Sequence, residues 1–173
     1  MKKVIFIFGL VLLVTIVAVS RPRNKVDNTP VGKLDLRKYM GRWYEIARFN
    51  HPFERGMSRV TADYALLPDG TVEVVNSGYK KGRFKRIKGK AKHDPSDPAG
   101  HLKVKFFAVY SDYLIMELEE ENYSYALVGS STPKFLWILS RTPQISVSAL
   151  NRLLESAAER GYDISKLLFV DQR

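Results

Sequence analysis

The sequence predicts a mainly β, exported domain whose short strands form a sandwich or an up-and-down barrel, followed by one amphipathic helix. Three observations carry that prediction. Between residues 41 and 140, apolar and polar positions alternate in short runs broken by turn residues. After Pro143 the apolar spacing changes to three and four. Ahead of both lies an uncharged apolar run behind a basic start.

That run is Met1-Lys2-Lys3 followed by residues 4–19, which carry no charge. A positive start, an apolar stretch and the small-residue exit Ala18-Val19-Ser20 are the parts of a signal sequence, with cleavage expected before Arg21. An uncleaved membrane anchor is the alternative, since sixteen apolar residues are long for a signal core and short for a spanning helix. Either way the remainder is exported. Residues 21–30 are polar, hold two prolines and read as a flexible tether; residues 31–173 then form the folded domain.

The chain has 173 residues, a length that suits one domain with a single sizeable core or at most two small ones. It has no cysteine, which excludes a disulfide framework, a thiolate zinc site, an iron–sulfur cluster, a cysteine nucleophile and a cysteine-linked lipid. With only three histidines a histidine-rich metal site is hard to build, and neither metal nor cofactor is expected.

Residues 34–39 form a short helix or turn, and residues 41–49 the first strand. Residues 58–67 and 71–78 make the second and third, joined by Pro68-Asp69-Gly70, which has the turn residues of a hairpin. In residues 83–92, Arg86, Lys88, Lys90 and Lys92 alternate with Ile87, Gly89 and Ala91, the period of a half-buried strand. Pro95, Asp97, Pro98 and Gly100 mark a loop, and residues 102–106 alternate again. Residues 113–118, 123–129 and 135–140 bring the number of strands to eight. After Pro143, residues Val147, Leu150, Leu153, Leu154, Ala157 and Ala158 share one helical face, with Ser146 or Ser148 as the cap and Gly161 as the stop. That face must pack on the outside of the sheet. Residues 167–170 form a last extended piece.

Three motifs in order carry a family resemblance. The first is Gly41-Arg42-Trp43-Tyr44-Glu45, running on to Phe53-Glu54-Arg55-Gly56. The second is Val60-Thr61-Ala62-Asp63-Tyr64 with Asp69-Gly70 behind it. The third is Leu136-Trp137-Ile138-Leu139-Ser140-Arg141 ahead of the helix. In these the chain resembles the lipocalins, and among them the bacterial outer-membrane lipocalins. The resemblance implies an eight-stranded antiparallel up-and-down barrel with one C-terminal helix against it and a ligand cavity open at one end. It also implies a closed end built from Gly41, Trp43 and Arg141, the guanidinium lying across the indole.

Strand parity, matched to the family, then places an inner wall. It consists of Trp43, Glu45, Ala47 and Phe49; Ala62 and Tyr64; Val72, Val74 and Asn76; Ile87, Gly89 and Ala91; Leu102, Val104 and Phe106; Tyr113 and Ile115; and Phe135, Trp137 and Leu139. Gly89 and Ala91 are small and argue for open volume. The expected ligand contacts are Phe49, Tyr64, Val74, Asn76, Phe106, Tyr113, Phe135 and Trp137, a mostly apolar wall with a few polar tips.

The implied function is binding, transport or storage of a lipid amphiphile, a fatty acid or lysophospholipid, in the cell envelope, and not catalysis. The bacterial relatives carry a lipidated cysteine directly after the signal. The resemblance implies the periplasm or the outer membrane; this chain has no such cysteine, so its mode of attachment is open and a soluble periplasmic or inner-membrane-anchored protein stands beside the outer-membrane reading. The rival readings are a haem or bilin carrier, an enzyme acting on a lipid through Glu45, and a basic interaction module. The last would use residues 80–92, which hold eight Lys or Arg and no acid. A solvated outer face explains that run best, with a membrane surface as a candidate partner. Nucleic acid is not expected as a partner, and the protein is a monomer or homodimer. Glu117, Glu119, Glu120 and Glu121 read as a solvated turn, His51 as a loop residue near the mouth that faces solvent or, in the alternative, touches a ligand headgroup or a haem, and His93 and His101 as incidental.

Overall fold

Each of the first eight strands pairs antiparallel with its successor across a short connection, and the eighth pairs back to the first. The strands are β1 (Gly41–Phe49), β2 (Met57–Leu66), β3 (Val72–Lys80), β4 (Arg83–His93), β5 (His101–Phe106), β6 (Val109–Leu118), β7 (Tyr125–Gly129), β8 (Leu136–Ser140) and the short β9 (Leu167–Phe169). Two helices, α1 (Leu36–Tyr39) and α2 (Val147–Glu159), flank them. The structure, a computed structural model, describes residues 26–173, so the expected signal or anchor lies outside the described residues. Residues 26–30, read from sequence as a tether, are bonded to the barrel: Asp27 N donates to Arg160 O at 2.8 Å and Asn28 Nδ2 to Ser130 O at 2.9 Å.

β1 closes the cylinder. Its first half pairs with β2, as in Trp43 with Ala62, and its second half with β8, as in Arg48 with Trp137. Beyond Tyr44 the β1–β2 seam separates, and the C-terminal segment fills it. β9 pairs with residues 47–49 of β1, Arg59 N donates to Asp171 O at 2.7 Å, and Gln172 Nε2 donates to both Glu45 O (2.8 Å) and Val60 O (3.0 Å). The last extended piece is thus a ninth strand sealing the barrel.

A bulge overturns part of the parity expected for β1. The β1–β8 register slips between Glu45 and Ala47. One extra residue moves everything after it to the opposite face. Trp43 and Glu45 point into the barrel as expected. Ala47 and Phe49 instead lie in the outer core, Phe49 edge-on to Tyr162 at 6.2 Å. Phe49 is therefore not a lining residue, and Arg48 takes the inward position. A second slip, between Ile115 and Glu117, settles β6: Ile115 and Leu118 join the inner core and Leu114 and Met116 the outer one.

The outer core sits beneath α2. Ser146 caps the helix, accepting from Ala149 N at 3.2 Å, and Ala149, Leu153 and Ala157 are its buried face. Val147, expected in that stripe, is exposed, because the face turned to the sheet starts two residues later. Gly161, at φ 87°, ends the helix: Gly161 N bonds to Ala158 O and Tyr162 N to Ala157 O, which brings Tyr162 down into the outer core. Glu117, read as part of a solvated turn, anchors the helix instead, accepting from Ser156 Oγ at 3.0 Å. β6 begins at Val109, four residues before the expected start, and β7 begins at Tyr125, since Tyr123 adopts φ 55° and leaves the strand.

Candidate functional site

The closed end is built on α1 and the start of β1. Asp35 caps α1, accepting from Arg37 N at 2.9 Å, and the helix delivers Tyr39 beneath the barrel. Trp43 Nε1 donates to Tyr39 O at 2.9 Å. Arg141 lies 4.0 Å from the centre of the Trp43 ring and donates to Lys38 O, Arg42 O and Tyr123 O. Gly41 has φ 93°, and a Cβ there would stand 3.4 Å from Arg141 Nη1. These contacts tie α1, β1 and the segments on either side of β7 and β8 into one plug.

Above the plug three tyrosines form a floor. The Tyr113 hydroxyl bonds to those of Tyr39 at 2.8 Å and Tyr64 at 2.9 Å. Burial pushes all three phenols well above the ordinary tyrosine range, so they remain neutral. Val72, Val74, Val104, Ile115 and Val128 complete the closed half, which is filled.

Toward the other end the interior loosens. Asn76, Ile87, Phe106 and Trp137 keep partial exposure although strand parity turns them inward. The Oδ1 of Asn76 is buried without a partner. The open volume expected at Gly89 is occupied: a Cβ there would meet the Phe106 ring at 2.7 Å and Lys105 O at 2.6 Å, so the glycine exists to seat Phe106. Two surface hollows, about 480 Å³ beside Leu34 and Tyr123 and about 510 Å³ beside Phe169 and Gln172, lie outside the barrel.

One wall of the open half is charged. Arg48 forms an ion pair with Glu45 and donates through Nη2 to Glu54 O at 2.6 Å. His51 Nε2 lies 2.9 Å from Glu54 Oε2, and Trp137 Nε1 donates to that same carboxylate at 3.4 Å. All four of these titratable residues are buried. His51, expected to face solvent, is only 4% exposed, its ring 5.4 Å from Trp137 and 5.7 Å from Phe135. Phe135 stacks on Trp137 at 5.8 Å. Burial, reinforced by the charge of Glu54, holds the Glu45 carboxyl well above the usual range despite Arg48. Burial works the same way on Glu54, but the bond and charge of His51 outweigh it and leave Glu54 below that range. Arg48 Nε and His51 Nδ1 remain buried without a protein partner.

Strand parity alone missed Arg48, because the bulge that turns it inward is invisible in an alternation pattern. Glu54 stood in the Phe53-Glu54-Arg55-Gly56 motif with no role attached to it, and the signal for His51 was its place in the first long loop. Among the described residues no group of acids and histidines is arranged to hold a metal.

The match to known proteins follows this geometry. A Lipocalin-like domain model matches residues 34–172. The chain belongs to the lipocalin-like family. It is 44% identical over 147 residues to outer membrane lipoprotein Blc of Vibrio cholerae, covering 83% of this chain and 86% of that one. It is 42% identical over 160 residues to the Blc lipoprotein of Escherichia coli K12, covering 91% and 90%. Temperature-induced lipocalin-1 of Arabidopsis thaliana is 41% identical over 154 residues, covering 83% and 82%. Among solved structures, insecticyanin from the tobacco hornworm Manduca sexta superposes with a TM-score of 0.70 at 20% identity, over 87% of each chain, which speaks to the fold. Lipocalins bind small hydrophobic molecules and are generally carriers, not catalysts.

Proposed function

We propose that the barrel binds a single-chain lipid amphiphile, a fatty acid or lysophospholipid, and carries or stores it in the cell envelope. One observation carries this reading: an apolar inner wall that ends, toward the open end, in buried polar groups with unused capacity. The chain lies against Phe106 and Trp137 above the tyrosine floor, with Asn76 beside it and the Tyr64 and Tyr113 rings at its foot. The headgroup, a carboxylate or phosphate, meets Arg48 Nε and His51 Nδ1, two buried atoms on the charged wall that lack protein partners. Phe135 covers the entry beside His51. The envelope assignment rests on the apolar N-terminal run and on the Blc relatives, which are outer membrane lipoproteins.

Chain burial is the driving term, at about 0.8 kcal/mol per methylene. Affinity for saturated fatty acids therefore rises about fourfold per added methylene until the open half is full. Trp137 reports it: a bromine-labelled fatty acid quenches its fluorescence, and Trp137→Phe removes most of the quenching. Phe106→Ala weakens binding about tenfold by removing an aromatic contact. Native mass spectrometry of the purified protein with added lysophospholipid reads the same event. An affinity indifferent to chain length would sink the proposal, and visible absorbance after haem addition would favour a pigment carrier in its place.

A further inference from the structure

The barrel has two chemically different ends. At the end remote from Trp43 the hairpin connections are residues 50–56, 81–82, 107–108 and 130–135. They hold Arg55, Lys81 and Lys134, and their one acid, Glu54, is buried. At the Trp43 end the connections 67–71, 94–100 and 119–124 contain Asp69, Asp94, Asp97, Glu119, Glu120 and Glu121 and neither Lys nor Arg, and Lys33, Arg37, Lys38 and Arg141 of the plug offset only part of that charge. Lys80, Arg83 and Lys85 add to the basic end, and among the described residues none of these open-end cations is ion-paired to a carboxylate.

Apolar side chains accompany that charge. Phe53 (76% exposed), Phe84, Phe107 (83%), Val109 (70%) and Tyr110 stand on or beside the open-end connections, five of the ten large exposed hydrophobics among the described residues. Phe107 is the most telling. It occupies the first position of a two-residue turn at φ 60°, where glycine or asparagine is the unstrained choice. An aromatic held there contributes nothing to packing. The described chain also begins at this end: Val26 lies against Gly161, and Asn28 is bonded to Ser130.

We propose that this end docks face-on to an anionic lipid bilayer, Phe53, Phe84, Phe107 and Val109 entering the headgroup layer while the surrounding Lys and Arg neutralise lipid phosphates. The acidic connections orient the molecule, since they are repelled from the same surface. Docking opens the barrel directly onto the acyl layer, so an amphiphile passes between bilayer and barrel without crossing water. The docking itself does not depend on the ligand proposed above.

Because the chain has no cysteine, one introduced thiol carries one environment-sensitive fluorophore. The full chain is labelled at Ala108→Cys on the open-end turn or at Glu121→Cys on the acidic end. It is then mixed with vesicles of phosphatidylglycerol and phosphatidylcholine bearing brominated acyl chains. The Ala108→Cys label shifts to the blue and is quenched; the Glu121→Cys label is not. Lys81→Ala weakens the response about fivefold, and about 0.5 M salt weakens it further. Phe53→Ser combined with Phe107→Ser abolishes it, with the thermal melt unchanged because both side chains are exposed. Equal quenching at both labels, an equal response with phosphatidylcholine alone, or a blue shift that follows protein concentration without lipid would each overturn the proposal, the last by assigning the surface to a second copy of the chain.

Discussion

Tyr39, Tyr64 and Tyr113 show how single side chains set the depth of the barrel. Their hydroxyls satisfy one another in a site where water would otherwise have to be retained, and the apolar space begins above them. Their burial has a pH signature. Each has a folded-state pKa raised above the ordinary value of 10.0. A group with a raised folded pKa contributes stability that is complete below its unfolded pKa and is lost as pH rises through the folded value. Stability therefore declines above about pH 10, not on the acid side, as far as these residues are concerned. A spectrophotometric titration should show exposed phenols among the nine tyrosines ionising first, and these three only as the protein unfolds. Early titration of all nine would contradict the buried floor.

At the level of elements, the decisive features are irregularities. The slip between Glu45 and Ala47 turns Arg48 inward and Phe49 outward, so one β1 strand serves both cores. It also parts β1 from β2, and the C-terminal segment makes good the lost ladder through Val170 N to Ile46 O, Arg59 N to Asp171 O and the two bonds of Gln172 Nε2. Deleting residues 167–173 leaves those backbone groups to water along an opened seam. The expected result is faster hydrogen exchange confined to residues 45–49 and 57–60, with a lower melting temperature. Uniform exchange across all strands would mean the segment does not seal the barrel locally. Gln172→Ala alone is the milder test, costing about 1 kcal/mol.

For the whole molecule, the inner and outer cores share the walls of one cylinder. Leu153 lies on α2 outside the barrel, fully buried, while Trp43 and Trp137 report on the inside. Leu153→Ala should cost about 2–5 kcal/mol. The loss should appear equally in tryptophan fluorescence and far-ultraviolet circular dichroism if the two cores unfold together. Two separated transitions would show that the helix layer melts independently. The same whole-molecule view accounts for the charge: Lys88 and Lys90 pair with Glu73 and Asp69 on the outer face, as a solvated strand surface requires, whereas the cations at the open end lack such partners.

Alternation, turn chemistry and the switch to helical spacing were enough to specify the strands and the helix, while the choice of an up-and-down barrel over a sandwich came with the motif resemblance. The closing residues Gly41, Trp43 and Arg141 were legible through motif resemblance. These features are local or nearly so: a two-residue period, a glycine at positive φ or a serine cap acts on its own few neighbours. The composition of the inner wall was a different matter. Phe49 left it and Arg48, His51 and Glu54 joined it, because a bulge is a backbone choice that depends on what the partner strand and the helix layer can accept. Likewise the seal at the β1–β2 seam joins Gln172 to Glu45 and Val60, contacts more than a hundred residues apart in sequence. The gathering of exposed aromatics and unpaired cations at one end needed the closed cylinder, since only closure brings four separate connections to the same rim.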